Sequence, residues 1–216
     1  RDDLIEAEKL KQQLSLSLLQ QQVNPHFLYN TLDNICALAE LDEKETLIQL
    51  VMNLSSFYRS SLSNGKMHIS IGQELEISRA YLEILQIRYF YKFDFTITCP
   101  EALKNYSCIK LLLQPILENS IYHGIKGLDR HGILHIEAED TGDCIRFTIS
   151  DNGRGFSKED YEKIWQEDAD HFGIKSIQQR ILLYYGPGYG LSMQSPQTGG
   201  CITMITLPKQ EGLPCH

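Results

Sequence analysis

The sequence has no basic run and no basic-aromatic stripe. Its 20 lysines and arginines stand against 28 aspartates and glutamates, a formal net charge of −8. That balance excludes an electrostatic grip on nucleic acid as its main activity. No apolar stretch reaches about 18 residues and no signal peptide opens the chain, so nothing in it reads as a membrane span or a secretion signal. The six cysteines (Cys36, Cys99, Cys108, Cys144, Cys201 and Cys215) never fall into CxxC or CxxH spacing. A cysteine metal cage is thereby excluded, and the apolar contexts of Cys36, Cys144 and Cys201 read as buried free thiols of a reducing compartment. Internal repeats and low-complexity segments are missing as well. What remains is an ordinary globular composition, 42% hydrophobic and 22% charged over 216 residues, enough for a full core and one or two domains.

The helical pattern is already running at Arg1, which leads us to expect a piece of a longer polypeptide. Leu4, Ala7, Leu14, Leu18, Leu28, Leu32, Ile35 and Ala39 follow one another at helical steps, with Lys11, Gln21 and Pro25 filling the seam. This predicts a long amphipathic helix with a coiled-coil-like stripe. Gln22, His26, Asn30 and Asp33 form a polar stripe beside it, so His26 is expected to face outward. A proline inside a helix costs about 3 kcal/mol, and Pro25 reads as a device that loosens the helix next to His26. After the break at Leu41 to Lys44, Leu47, Val51, Leu54, Tyr58 and Leu62 predict a second helix. A lone antiparallel hairpin cannot bury both its faces, and dimerisation into a four-helix bundle resolves that. Ser63-Asn64-Gly65 ends the second helix, and a third is expected over Glu74 to Tyr91 as a link.

From Phe93 the period changes to two. Phe93, Phe95 and Ile97, then Leu134, Ile136 and Ala138, then Ile145, Phe147 and Ile149, and finally Ile202 to Leu207 predict strands. Asp140-Thr141-Gly142-Asp143 closes the middle pair as a hairpin. Helices are expected at Ile109 to Gly124 and Gly173 to Tyr185. The fold class is α+β, with a sheet that is antiparallel or mixed and helices on one face. The expected divisions are a helical domain at 1–70, a linking helix at 71–92, a second domain at 93–208 and a tail at 209–216.

Three constellations could carry chemistry. Glu118, Asn119 and His123 lie on the helix LLLQPILENSIYHG, where Asn119 and His123 share a face. An amide oxygen is a hard ligand suited to Mg²⁺, although Asn119 could equally hydrogen-bond the following loop. Asp151-Asn152-Gly153-Arg154-Gly155-Phe156 closes a buried strand. Asp151 there can accept from an exocyclic amine, and Gly153 and Gly155 let backbone approach a flat ring. The same residues would also make a plain turn. Gly173 opens a helix whose amides and dipole can meet phosphate, or is simply a helix start.

Taken together and in this order, these motifs resemble the GHKL (Bergerat) ATP-binding fold of sensor histidine kinases, gyrase-type ATPases and related chaperones. VNPHFLYNTLDNI with LLLQPILENSIYHG, DNGRGF and GIKSIQQRILLYYG is similar, more closely, to the LytS/YesM-type sensor histidine kinases, from about Leu14 to Pro208. The resemblance implies an α/β-sandwich ATP-binding domain over 93–208 behind a dimeric histidine phosphoacceptor bundle. It implies ATP and Mg²⁺ as cofactors, with Asn119 holding the metal. Asp151, Gly153 and Gly155 would lie at adenine, Gly173 and His123 beside the phosphates, and His26 would accept the γ-phosphoryl group. The implied partners are a second copy of the chain and a response-regulator receiver domain. The implied setting is the cytoplasmic portion of a membrane-anchored bacterial sensor kinase, with the sensor region preceding Arg1. A neutral imidazole is a competent nucleophile, and phosphoryl transfer asks mainly for positioning and charge neutralisation.

Some positions depart from the pattern. Phe27 follows His26 where many histidine kinases carry an acid, leaving Gln22, Asn30 and Asp33 as the neighbours to test for a base. Ser176 stands where the subfamily often has asparagine, and Cys201 where threonine is usual, which bears on nucleotide affinity and lid closure. Two other functions compete. A GHKL ATPase needs a carboxylate one helical turn before Asn119, where this chain has Pro115. A degenerate, dimeric scaffold would need no chemistry at all.

Overall fold

The structure is a computed structural model that describes residues 25–62, 67–165 and 172–211. The chain divides into two compact units, Arg1–Gly65 and Lys66–His216.

The first unit is a helical hairpin. Helix α1 spans Pro25–Glu40 and α2 spans Lys44–Leu62. The turn between them hinges on Asp42 in a left-handed conformation (φ 58°), and the amide of Glu43 bonds back to Leu38. The expected seam upstream of Pro25, Gln22 and the helix end at Ser63 to Gly65 lie outside the described residues, so any effect of Pro25 on the preceding turn does too. The residues that close the hairpin sit beside the expected stripe. Phe27, Thr31, Leu50, Asn53, Phe57 and Ser61 are buried, and the rings of Phe27 and Phe57 meet edge to face at 5.4 Å between centroids. Leu32 and Val51, expected in the seam, are exposed, together with Tyr29, Ile48 and Met52. Two helices can cover only one flank of each other, which leaves the neighbouring apolar flank open.

The second unit is built on a five-stranded mixed sheet in the order β2-β4-β5-β7-β6. Its strands are β2 (Phe93–Thr98), β4 (Gly132–Asp140), β5 (Cys144–Asp151), β6 (Gly190–Gln194) and β7 (Cys201–Pro208). Only β2 and β4 run parallel; the rest of the sheet is antiparallel. The alternation anticipated from sequence fixes the faces. Leu134, Ile136, Ala138, Ile145, Phe147 and Ile149 point into the core, while His135 and Glu137 point to solvent. The loop 141–143 closes the β4–β5 hairpin with Gly142 at φ 91°.

Short strands β1 (His68–Ser70) and β3 (Ser107–Ile109) form a separate antiparallel pair. Neither was expected, because three residues carry too little periodicity. Helix α3 (Ile71–Arg88) starts earlier than expected, at a capping box in which Ser70 and Gln73 satisfy each other's amides. It is no free-standing link. Ile71, Leu75, Tyr81, Leu82, Ile84 and Leu85 are buried, and the helix belongs to the second unit. Helix α4 (Gln114–Asn119) passes directly into a π-helical turn, Ser120–Ile125. The helix expected from Ile109 therefore begins five residues later, since Ile109 is strand and Leu111 has φ 54°. Helices α5 (Lys158–Ile164) and α6 (Phe172–Tyr185) complete the unit. Among the described residues no helix is long and apolar enough to cross a membrane. The thiols also differ from expectation. Cys201 is buried, but Cys36 is exposed and Cys144 half-buried, whereas Cys108 is the deeply buried one.

Candidate functional site

Asp151, the last residue of β5, forms the floor of a pocket. Its Oδ1 accepts the amides of Gly153 at 2.8 Å and Cys201 at 3.3 Å. Its Oδ2 is buried and has no hydrogen-bond partner in the protein. Burial pushes the carboxyl above the usual aspartate range, against the Ser120 hydroxyl and the two amides that favour its charged form. Buried acceptors are normally satisfied, so an orphan oxygen facing a cavity calls for a donor from a ligand.

The pocket around it is lined by Asn119, Ser120, His123 and Gly124 of the α4–π segment, Asp151, Arg154, Gly155 and Phe156 of the following loop, Asp160 and Ile164 of α5, and Cys201 of β7. It offers about 500 Å³ of empty space counted to its open mouth. The π-turn explains how Ser120, His123 and Gly124 share the pocket with Asn119. Inserting a residue into the helix rotates the following side chains, and such insertions concentrate at functional sites. Phe156 gives one wall an aromatic face, and Tyr161 and Trp165 brace it without lining the pocket. Phe156 stacks on Tyr161 at 5.8 Å, and Tyr161 meets Trp165 edge-on at 6.0 Å. Ile164, Ile174, Met193 and Cys201 pack behind them.

Of the sequence-derived candidates, Asn119, His123, Asp151 and Gly155 line this one pocket, and Gly153 and Gly173 do not. The glycines are required by the protein's own packing. A Cβ on Gly153 would lie 2.6 Å from Asp151 Oδ1 and 2.7 Å from the Gly124 Cα. Two backbones meet there with no room for a side chain. Gly155 has φ 73°, and its Cβ would fall 2.4 Å from Ser195 Oγ. Gly173 is the second residue of α6, and its Cβ would touch Pro115 at 3.0 Å, which brings α6 against the first turn of α4. Asn152 faces away, accepting the Ile133 amide at 2.7 Å and donating to His131 O at 3.1 Å. Sequence reasoning did not single out Ser120, Gly124, Arg154, Phe156, Asp160 and Ile164 as lining. The run Phe156, Tyr161, Trp165 was the available signal for the aromatic wall.

The cavity has the chemistry of a purine nucleotide site. The orphan carboxylate oxygen suits an exocyclic amine, and the aromatic wall is an apolar surface. The Asn119 amide oxygen is a ligand that suits Mg²⁺. Among the described residues no cluster of three or more histidine, cysteine or acidic side chains could hold a metal by itself.

His26 lies in the first unit, on α1, and is exposed as the polar stripe required. The Asn30 amide nitrogen, one turn on, sits 3.1 Å from its Nδ1 and 3.0 Å from its Nε2, close enough to hold the ring's orientation. Asp33 is exposed on the same helix.

Comparison with known proteins agrees with this geometry. Residues 14–93 match the family described as histidine kinase, and residues 106–211 match histidine kinase-, DNA gyrase B-, and HSP90-like ATPase. The chain is 31% identical over 207 residues to the sensor histidine kinase YesM of Bacillus subtilis (strain 168), covering 96% of this chain and 35% of that protein. It is 33% identical over 181 residues to the sensor histidine kinase BtsS of Escherichia coli (strain K12), covering 84% and 31%. The chain thus spans about a third of the length of these curated relatives. Among solved structures, the catalytic domain of histidine kinase ThkA superposes with a TM-score of 0.53 at 15% identity, covering 67% of this chain and 96% of that one. ThkA in complex with the response regulator protein TrrA gives 0.52 at 15% identity, covering 94% and 65%. With matches over residues 14–93 and 106–211 and sensor histidine kinases as relatives over most of its length, the chain belongs to the histidine kinase family, LytS/YesM type, with a GHKL ATPase-type second unit.

Proposed function

We propose that this chain is the kinase portion of a sensor histidine kinase that phosphorylates His26 from ATP and passes the phosphoryl group to an aspartate of a response-regulator receiver domain. The unpartnered Asp151 Oδ2 at the pocket floor carries this reading. The exocyclic amine of adenine is a donor that satisfies it. Gly155 and the Phe156 wall flank the ring, and Gly153 keeps Asp151 in place through its contact with Gly124. Asn119 would hold Mg²⁺ and His123 would lie beside the phosphates, with Gly173 opening α6 on that side. Mg²⁺ held there would supply charge neutralisation to the transferring group. His26 supplies a ring nitrogen as nucleophile, and Asn30 keeps the imidazole turned outward. An exposed acceptor is what two successive partners require, first the nucleotide and then the receiver.

The working form is a homodimer. Leu32, Ile48, Val51 and Met52 leave an apolar flank open on the hairpin, and a second hairpin covers it in a four-helix bundle. The kinase portion works in the cytoplasm, with a membrane-anchored sensor on the same polypeptide. Relatives named as sensor histidine kinases, about threefold longer than this chain, support a sensor region on the same polypeptide.

The test incubates the protein with Mg²⁺ and γ-labelled ATP and compares wild type with His26→Ala and Asn119→Ala. Acid-labile label appears on wild type and is lost in both variants. Label that survives in His26→Ala refutes the assignment. Unlabelled wild type that still binds ADP supports the scaffold function instead.

A further inference from the structure

The α4–π segment that carries Asn119 and His123 begins without a cap of its own. Leu113 stands at the N-cap position and has no side chain able to bond the free amides. Glu74, from the first turn of α3, does that work from another helix. Its Oε1 accepts the Leu113 amide at 2.9 Å and its Oε2 the Leu111 amide at 2.8 Å. Glu74 is wholly buried. The carbonyls of the same stretch are taken from the other side by Arg180 of α6, which is 5% exposed. Its Nη1 donates to Leu111 O at 3.1 Å and its Nη2 to Lys110 O. The Ile109 amide donates to the Tyr185 hydroxyl, also on α6, at 2.9 Å.

Side chains of two different helices therefore hold the backbone polar groups of the strap just before α4. The strap also contains Leu111 at φ 54°, a conformation that a leucine adopts only when its surroundings impose it. A buried carboxylate and a buried guanidinium are costly to desolvate, and burying them for fold stability alone is a poor exchange against apolar side chains. Their opposite charges compensate each other across the strap, and the geometry they impose is directional in a way that apolar packing is not. Gly173, two turns before Arg180 on α6, presses on Pro115 in the first turn of α4. Thus α6 holds α4 at two points.

We infer that Glu74 and Arg180 are positioning residues, a clamp that sets the placement of the Asn119-bearing segment and thereby governs nucleotide affinity. The inference rests on the reading of the Asp151 pocket as a nucleotide site. Its test therefore has one arm that needs no nucleotide. Amide hydrogen exchange over residues 114–125 and the ADP–Mg²⁺ dissociation constant are measured for wild type, Glu74→Gln and a core control on the same helix, Ile84→Val. Glutamine offers only one acceptor atom for the two amides. Glu74→Gln speeds exchange in 114–125 without nucleotide and weakens ADP binding about tenfold or more, as small misplacements of a site do. Ile84→Val lowers the melting temperature but leaves both readouts at wild-type values. Wild-type exchange in Glu74→Gln, or faster exchange with unchanged affinity, overturns the inference. If Glu74→Gln does not fold, Arg180→Lys, which keeps the charge but loses the fork across two carbonyls, is judged by the same readouts. Wild type that binds no ADP defeats the nucleotide reading, and the exchange arm still decides the positioning role.

Discussion

Replacing Asp151 by asparagine separates the cost of this residue to the empty protein from its use to the loaded one. The Asp151→Asn side chain would keep the Oδ1 that accepts from Gly153 and Cys201, but it turns an NH₂ toward the place where Oδ2 waits for a donor. A hydrogen bond to a charged acceptor contributes about 1.5–3 kcal/mol. Its loss corresponds to ADP affinity weaker by about 10- to 150-fold. The readout is thermal melting with and without ADP and Mg²⁺. At 100 times the dissociation constant a ligand stabilises by about 2.7 kcal/mol, which in a unit of about 150 residues is a rise of about 5–10 °C for wild type. At the same ADP concentration the variant retains about 0.3–1.4 kcal/mol, or about 1–5 °C.

The empty proteins should rank the other way. Because burial raises the Asp151 carboxyl, the native state holds more proton than the unfolded chain between the ordinary and the raised value. Stability from this group is therefore lost as pH rises through that window. At neutral pH the apo variant melts at or above wild type, and the difference closes as pH falls toward the usual aspartate range. An Asp151→Asn protein that keeps the full ADP-induced rise would refute the argument. So would one whose apo form is strongly destabilised.

Gly153→Ala drives a methyl group into Asp151 and the Gly124 backbone, and should cost about 1–3 kcal/mol and abolish ADP binding. Gly142→Ala, with open space around it but φ 91°, should cost about 1 kcal/mol and leave binding intact; melting and ADP titration of the two variants check both outcomes. Timed alkylation read by mass spectrometry should modify exposed Cys36 before Cys108 and Cys201. Burial holds the Cys108 thiol well above its ordinary range and pushes Cys201 up to about 11; ADP should slow Cys201 further. Leu32→Glu combined with Val51→Glu places charge on the open flank of the hairpin, and sedimentation should show monomers that remain helical. A dimer that survives both charges would place the interface elsewhere.

The sequence by itself determined whatever depends on neighbours in the chain. Alternation marked the inward faces of β4 and β5 because a strand turns its side chains over every two residues. Steps of four put Asn30 over His26 and left both on the outward side of α1. The end of a buried run located Asp151. Tertiary structure decided whatever depends on residues far apart. Which apolar flank of α1 is covered was settled by Phe27 meeting Phe57, and the pattern alone favoured the adjacent stripe. The close approach of Gly124 requires a glycine at 153 by itself, a contact with a residue 29 positions away. Helix α3 looked like a linker because nothing within it announces that Glu74 caps a segment nearly 40 residues away, or that Arg180 grips the same strap from the far side. A buried charge is favourable only with its partners in place, and its partners here are backbone groups, which carry no sequence signature.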